Sequence, residues 1–332
     1  METSSATGAR TAIPGDANFF PVRVASLRID TVAGFDLFIQ AHPGQPLVLY
    51  REKSLPFTDD DKRRLKDNAV TQLYVSSGQA AQYRRYVEAN LNLILADKEI
   101  PLQERSEVLY TSAMQVAKDV LAEPRAGEVL PRSKQMVENA VWFLFNQAQA
   151  FENLLKVTSF DYYTYTHSVN VLVFSIGLAR QMGYKDTSVF DFGHGALLHD
   201  IGKCMIDPAI LNFPGKLSPE QWEQIKLHPV YGYNILTEQE VRDDVLLDVT
   251  RHHHEKLTGT GYPDGLKGLE ISVFARISAV ADTFDALTTR RVYKDALASF
   301  EALKLMKTEM AAELDAGVFQ NFVGMLGHPG AG

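Results

Sequence analysis

The sequence predicts a mainly α-helical protein, in which an all-α helical bundle follows a small α+β domain. Apolar residues recur at spacings of three and four from Gln79 onward, a pattern typical of amphipathic helices. Upstream of Gln79, short alternating apolar runs are separated by glycine and proline, as between strands. A chain of 332 residues is long enough for two such domains.

The composition is that of a globular protein, with 45% hydrophobic and 22% charged residues. The net charge of −8 argues against binding nucleic acid or lying on an anionic membrane, so neither partner is expected. Cys204 is the single cysteine, which excludes a disulfide scaffold and favours a reducing compartment. We find neither a secretory signal nor an apolar run of membrane-spanning length, so a cytoplasmic location is predicted.

The N-terminal third is interpreted as an arm and a small module. Residues 1–17 are rich in Ser, Thr, Gly and Ala and are predicted to be a disordered arm. Residues 18–98 are predicted to form an α+β regulatory module, with a charged helix over 59–67 that Thr58 caps. Its strands are PVRVASLRI, GFDLFIQA, QPLVLYRE and QLYV. Because its core would be small, we expect this module to dock or dimerise.

The rest of the chain is predicted to be helical. Continuous periodicity predicts helices over Tyr83–Leu95, Val108–Leu121 and Met136–Leu155. The segment Glu123–Ser133 interrupts the pattern with two prolines and a glycine. We therefore predict a helical connector over 99–133 and a catalytic domain over 134–325.

The histidines cluster with carboxylates along the sequence. Together these two types of side chain are typical ligands of a transition metal. The most informative pair is His199–Asp200, at the end of a predicted apolar helix that Gly202 terminates. Adjacent residues on a helix point about 100° apart, so both reach one metal only near a helix end or across a metal pair.

The alternative for each histidine is a structural role. A single histidine on an apolar helix is usually a hydrogen-bonded core residue, and we assign His194 that role. His252 is interpreted as a helix surface residue. His167, His228 and Asp282 interrupt apolar patterns, where a buried polar group is costly unless it is paired. For Asp282 taken alone, a metal and a buried salt bridge explain the pattern equally well.

Five motifs follow one another in the second half of the chain. They are DYYTYTH (161–167), HDIGK (199–203), IKLHPVYGY (225–233), HHEKLTGTGYP (253–263) and ADTFDALTTRRVYK (281–294). This ordered series resembles the bacterial HD-GYP domains, a branch of the HD phosphohydrolase superfamily associated with cyclic di-GMP hydrolysis. The resemblance covers residues 155–300 and implies that the bundle is of the HD type.

The resemblance implies a two-metal site. His167, His199, Asp200 and Asp282 match the ligands of a first metal, while His228, His253 and His254 match those of a second, with Asp200 bridging both. Such an ion pair, about 3.5–4 Å apart, clamps the attacking and leaving oxygens of a phosphoryl displacement and acidifies the attacking water. Iron or manganese fits this nitrogen-rich set, and zinc remains open. Tyr163 stands where some members place a third-metal glutamate, so two ions are expected.

The resemblance also implies substrate contacts. Lys203 matches a lysine near the scissile phosphate and is, with Asp200, a predicted catalytic residue; the alternative is a cation at a helix end. Tyr262, in a glycine-rich loop, matches a substrate-binding position; the alternative is a packed turn residue. Arg291 and Lys294 match a cationic pair for the substrate phosphates. Thr258 and Phe213 depart from the usual pattern.

The function implied is metal-dependent hydrolysis of cyclic di-GMP to pGpG, with further cleavage to GMP left open. Two alternatives stay open: an HD phosphohydrolase acting on another cyclic dinucleotide or nucleotide, and a signalling module that binds cyclic di-GMP with little turnover. The expected partners are cyclic di-GMP, a second copy of the chain, and signalling proteins such as diguanylate cyclases.

Overall fold

The computed structural model describes residues 18–29, 31–42, 44–158, 164–290 and 296–327. The predicted arm over 1–17 lies outside these residues. The chain forms two compact units, Met1–Pro101 and Leu102–Gly332. The first contains a small sheet with helices and the second is helical, which confirms the mainly α fold with an α+β N-terminal part.

The first unit contains two antiparallel sheets. Its strands are β1 (Phe19–Arg23), β2 (Thr31–Val32), β3 (Leu37–Ile39), β4 (Val48–Arg51), β5 (Pro56–Phe57) and β6 (Gln72–Ser76). The larger sheet has the order β1-β6-β3-β4, with Phe19 opposite Ser76, and β2 pairs with β5. All four strand segments predicted from the sequence contribute to the larger sheet.

The helices of the first unit are α1 (Asp59–Asp67), α2 (Ala80–Ala89) and α3 (Leu91–Ala96). The predicted cap of α1 is confirmed, because the Asp61 amide donates to the Thr58 hydroxyl and the Asp61 carboxylate accepts from the Thr58 amide. The continuous helix predicted over Tyr83–Leu95 is instead two helices. Asn90 separates them, and its side-chain amide donates to the Tyr86 carbonyl, a local bond that competes with the helix.

The second unit is a helical bundle around one buried helix. The helices are α4 (Leu102–Ala122), α5 (Val129–Asn146), α6 (Ala150–Val157), α7 (Thr164–Gln181), α8 (Asp186–Leu198), α9 (Pro208–Leu211), α10 (Pro219–Ile225), α11 (His228–Glu238), α12 (Asp244–His252), α13 (Val273–Thr288), α14 (Ser299–Glu309) and α15 (Ala316–Gly327). Every residue of α7 from 166 to 179 is buried, because α4, α8, α13 and α15 pack around it. This central helix carries His167.

Two features of the bundle differ from the sequence prediction. The predicted connector over 99–133 contains α4, which packs on α5, α6 and α7 as part of the second unit. The apolar face of α4, which includes Leu109 and Val116, is buried against these helices. The helix predicted over Met136–Leu155 is interrupted between α5 and α6, where Gln149 adopts a left-handed conformation with φ of 62°.

Candidate metal centre

The His199–Asp200 pair lies where α8 ends and a short 3-10 helix begins. This turn packs backbone to backbone against α11: a Cβ atom added at Gly202 would overlap the His228 carbonyl oxygen and the Gly232 amide nitrogen. The sequence predicts Gly202 as a helix terminator, and the structure gives it a packing role. The close approach brings His228, the first residue of α11, beside Asp200.

The remaining predicted metal ligands come from three other helices. His253 and His254 directly follow the last residue of α12, so the end of that helix presents both to the centre. His167 lies in the first turn of α7 and Asp282 in the interior of α13. His167 Nε2 is 3.1 Å from Asp282 Oδ1, so these two helices meet at the centre.

The structure brings all seven predicted metal ligands into two adjacent groups. His167, His199 and Asp282 form the first group, and Asp200, His228, His253 and His254 form the second. Within each group, one ligand atom per residue lies within 4.8 Å of every other. All of them are buried except His254, which is partly exposed.

Four of the histidines have one ring nitrogen fixed by an acceptor. His167 Nδ1 lies 2.7 Å from Asp285 Oδ2, His199 Nδ1 2.7 Å from the Ala196 carbonyl, His228 Nδ1 2.8 Å from the Ile225 carbonyl and His253 Nδ1 3.0 Å from the Thr250 carbonyl. A carbonyl oxygen only accepts, so Nδ1 carries the proton in those histidines. With the proton on Nδ1, the Nε2 atom of each of these rings faces the centre, as in metal-binding histidines.

The arrangement of these nitrogens fits a pair of divalent cations. The Nε2 atoms of His167 and His199 are 3.2 Å apart, and so are those of His228 and His253. Two lone pairs that face each other at this distance repel, and a cation shared between them removes the repulsion. Among the described residues, buried Asp200 Oδ1 accepts no hydrogen bond, an arrangement that also suits a metal ligand.

The Asp200 carboxylate faces both groups at once. Its Oδ1 is 3.2 Å from His228 Nε2, in the second group. Its Oδ2 is 3.4 Å from His199 Nε2 and 3.5 Å from His167 Nε2, in the first. The Lys203 ammonium donates to the same Oδ2 at 2.6 Å.

The electrostatics of the centre keep its ligands in metal-binding protonation states. Burial would raise the pKa of Asp200, but Lys203 and the neighbouring histidines outweigh it and hold that pKa well below its usual range. Burial lowers the pKa of His228 to about 3 and that of His254 to about 4. At neutral pH the carboxylate is therefore ionised and these imidazoles are neutral, as coordination requires.

Tyr262 lies on the accessible side of the centre. Its ring centroid is 4.7 Å from that of His254, whose side chain is 25% exposed. Burial raises the pKa of Tyr262, so its hydroxyl remains a hydrogen-bond donor. The exposed ring of Trp222 meets Tyr262 edge to face, with 6.4 Å between centroids. Aromatic faces thus surround the approach to the second group.

The loop that carries Tyr262 is tied to α12 through Asp264. The Arg251 guanidinium donates to both Asp264 oxygens, at 2.7 and 2.8 Å. His252 bridges Asp264 and Asp248, at 2.9 and 2.7 Å, which gives it a tethering role. The Glu255 carboxylate accepts from the Asp264 amide at 2.7 Å.

Sequence reasoning missed the residues that support the first group. Asp285 holds His167, and the side-chain amide of Asn170 donates to Asp285 Oδ1 at 2.7 Å. The signal was present as matched spacings: Asn170 follows His167 by three residues, as Asp285 follows Asp282. Residues three apart share a helix face, so both pairs could have been predicted to face each other.

The remaining residues singled out from the sequence lie outside the two groups or outside the described part of the chain. Arg291, Lys294 and Tyr163 lie outside the described residues. His194 is a hydrogen-bonded core residue, as predicted, with its Nε2 2.8 Å from the Ser133 hydroxyl. The Thr258 hydroxyl bonds Thr260 at 2.8 Å within the Tyr262 loop.

The comparisons with known proteins identify the family. A family model described as "HD domain" matches residues 149–318, which include every clustered ligand. The chain belongs to the HD domain family. A cyclic di-GMP phosphodiesterase of Pseudomonas aeruginosa is 30% identical over 280 residues, covering 80% of this chain and 67% of that protein. The HD domain thus accounts for the two metal-binding groups, since proteins of this family bind divalent metals.

Further relatives match mainly the HD domain. A 3'3'-cGAMP-specific phosphodiesterase of Vibrio cholerae is 40% identical over 47% of this chain, and a cyclic di-GMP phosphodiesterase of Thermotoga maritima is 39% identical over 46%. The chain spans 34% and 41% of their respective lengths. A solved HDG"Y"P protein from Bdellovibrio bacteriovorus has the same fold, with a TM-score of 0.64 and 23% identity over 94% of this chain and 100% of that one.

The HD-GYP resemblance drawn from the motifs is therefore confirmed. In the part of the chain that the structure describes, no helix combines the length and apolar character needed to cross a membrane.

Proposed function

We propose that this HD domain is a metal-dependent phosphodiesterase that hydrolyses cyclic di-GMP to pGpG. The observation that carries the proposal is the Asp200 carboxylate, whose two oxygens face two separate groups of inward-turned histidines. The names of the Pseudomonas and Thermotoga relatives support the substrate.

The chain's own residues prepare the site for a phosphodiester. His167, His199 and Asp282 would hold one ion, His228, His253 and His254 the other, and Asp200 both. When bound, a pair of divalent ions neutralises phosphate charge and lowers the pKa of a water molecule that attacks phosphorus. Iron or manganese suits this nitrogen-rich set, and zinc is the alternative.

Lys203 is the catalytic cation of this proposal. Its side chain is partly exposed while its ammonium reaches the Asp200 carboxylate at 2.6 Å, so it spans the buried ligands and the accessible side. A cation there would stabilise charge developing on the phosphate or donate a proton to the leaving 3′-oxygen. Tyr262, with Arg291 and Lys294 from the motif, would hold the substrate.

Anaerobic turnover of cyclic di-GMP by protein reconstituted with Fe(II) or Mn(II) tests the proposal. We expect metal-dependent production of pGpG, reduced at least about 100-fold by Asp200→Asn, since that change removes a charge shared by both groups. Ser133→Ala, which deletes a buried hydroxyl–histidine bond away from the centre, is the matched control and should retain turnover. Protein that holds two ions per chain and yields no product would overturn the proposal.

A second candidate substrate is another cyclic dinucleotide. It is favoured by the 40% identity to a Vibrio cholerae protein named as 3'3'-cGAMP-specific. Parallel measurements of kcat/KM for cyclic di-GMP and 3'3'-cGAMP distinguish the two, and a clear preference for the second would reassign the substrate. Binding of either dinucleotide by fully metallated protein without turnover would instead indicate a signalling module.

The predicted homodimer, diguanylate cyclase partners and cytoplasmic location remain predictions. Light scattering of the purified protein over a range of concentrations tests the first of them.

A further inference from the structure

A chain of buried hydrogen bonds runs from α4 to the metal centre. The Tyr110 hydroxyl donates to Asn170 Oδ1 at 2.7 Å, and Asn170 Nδ2 donates to Asp285 Oδ1 at 2.7 Å. The other oxygen of Asp285 lies 2.7 Å from His167 Nδ1. All four side chains are at most 3% exposed.

Each bond in this chain has one permitted direction. The Asp285 carboxylate accepts from the Asn170 NH₂ group, so the carbonyl oxygen of Asn170 faces α4. That oxygen then needs a donor, and the Tyr110 hydroxyl supplies one. At the other end the carboxylate requires the proton of His167 on Nδ1, which leaves the Nε2 lone pair for a metal.

The chain also fixes the relation of three helices. His167 and Asn170 lie one turn apart on α7, opposite Asp282 and Asp285, which lie one turn apart on α13. Tyr110 lies on α4 and contacts Asn170, which is 60 residues away in sequence. Without its hydroxyl, the Asn170 carbonyl oxygen would lose this donor in a buried setting, and the amide would shift to find another.

We propose that Tyr110 is a positioning residue of the metal centre, which acts through Asn170 and Asp285 to orient His167 toward the ion of the first group. The proposal concerns metal binding and rests on the metal centre alone, so it stands whichever phosphodiester the protein hydrolyses. Tyr110 is not itself a member of either group of clustered ligands.

Titration of metal-free protein with Co(II) tests this inference, with visible absorption and a competing chelator as readouts. Tyr110→Phe keeps the ring and removes only the hydroxyl. Substitution of a residue that contacts a metal ligand typically costs about 10–100-fold in metal affinity. Asp285 is such a residue, and Tyr110 is two hydrogen bonds further from His167. We therefore expect about 3–10-fold weaker binding of one Co(II) ion and a changed spectrum. The second ion should bind as before.

Two further variants separate positioning from general destabilisation. Ser133→Ala removes a buried hydroxyl bonded to the non-ligand His194 and should lower the melting temperature without changing Co(II) affinity. In an Asn170→Ala background, Tyr110→Phe should add nothing, because its route to His167 has already been removed. Unchanged affinity in Tyr110→Phe, or an undiminished effect in the Asn170→Ala background, would overturn the proposal.

Discussion

The two groups of metal-binding side chains are held in different ways. In the first group, His167 is held by a carboxylate, an amide and a hydroxyl from three helices. In the second, His228 and His253 are hydrogen-bonded through Nδ1 to carbonyl oxygens three residues earlier in the chain. The orientation of His167 therefore depends on tertiary packing of specific side chains, whereas His228 and His253, like His199 of the first group, are fixed by local backbone.

The groups also differ in access. Among the first group, the most exposed side chain is that of Asp282, at 12%, whereas that of His254 in the second is 25% exposed and lies against Tyr262. A phosphodiester would thus approach over the second group, with the first behind it. Substitutions near the first group should therefore change mainly metal affinity, and substitutions near the Tyr262 loop should change mainly KM.

The largest effect is expected at the backbone contact that supports the second group. Gly202→Ala would place a methyl group on the His228 carbonyl and should destabilise the protein by about 3 kcal/mol while displacing α11. Thermal unfolding and metal content measure both consequences. Gly324→Ala, in α15 where nothing lies within 4 Å of an added Cβ, is the control and should be neutral or slightly stabilising. Equal melting temperatures for the two variants would refute a packing role for Gly202.

The first group is broken most directly at Asp285. Asp285→Asn keeps the shape but replaces a charged acceptor, so affinity for one ion should fall by about 10–100-fold. Equilibrium titration with Mn(II), followed by electron paramagnetic resonance of the free ion, measures the two affinities separately. Loss of both ions to the same extent would mean that the groups are not independently supported.

The pH dependence of stability distinguishes a histidine of the cluster from the histidine that tethers the Tyr262 loop. His254 has a pKa of about 4 in the folded protein against an ordinary 6.5, so the unfolded chain takes up its proton first as pH falls. The melting temperature of metal-free protein should therefore decrease between pH 6.5 and 4. His254→Gln should flatten this decrease.

His252 should act in the opposite direction. Burial lowers its pKa, but the bonds to Asp248 and Asp264 outweigh burial and raise it. Its contribution to stability is therefore complete below its unfolded pKa and lost as pH rises through the folded one. His252→Gln should therefore abolish a rise in melting temperature as pH falls toward 6.5 and leave the decrease below pH 6.5 unchanged. A variant that keeps this rise would contradict the assignment.

The smallest effect is expected at the loop tether. The Arg251–Asp264 pair is partly exposed, so Asp264→Asn should cost about 1 kcal/mol or less in stability. We expect KM to rise about threefold with little change in kcat or metal content, because the change affects Tyr262 rather than the ligands. Steady-state kinetics on metal-loaded protein gives both constants, and a fall in metal content would show that the tether supports the second group as well.

The sequence predicted which seven side chains cluster, because each stands in a local motif whose order along the chain is distinctive. The helical periodicity placed most helices, and the Thr58 cap placed the start of α1. The breaks at Asn90 and Gln149 were not predicted, because apolar periodicity continues through both. Short connections of this kind depend on side-chain bonds and backbone conformation that hydrophobic spacing does not encode.

The support of the first group was harder to predict. Tyr110 lies in a segment interpreted as a connector, and its partner Asn170 is a polar residue on an otherwise apolar helix. Nothing in either local pattern indicates that the two meet, since they come together only when α4 packs on α7. Long-range pairing of isolated polar residues is information that the folded structure supplies.

The contact between Gly202 and α11 also has a consequence for the choice of ion. The backbone at Gly202 and the backbone of α11 are already in contact, so they cannot move closer together. The distance from Asp200 to His228 therefore cannot adjust by side-chain rotation alone. An ion of larger radius would have to be accommodated at the opposite wall, where α12 ends and the Tyr262 loop begins. The protein would then discriminate among ions through the positions of the α12 end and the Tyr262 loop, so that the residues beside His254 would respond to ion size.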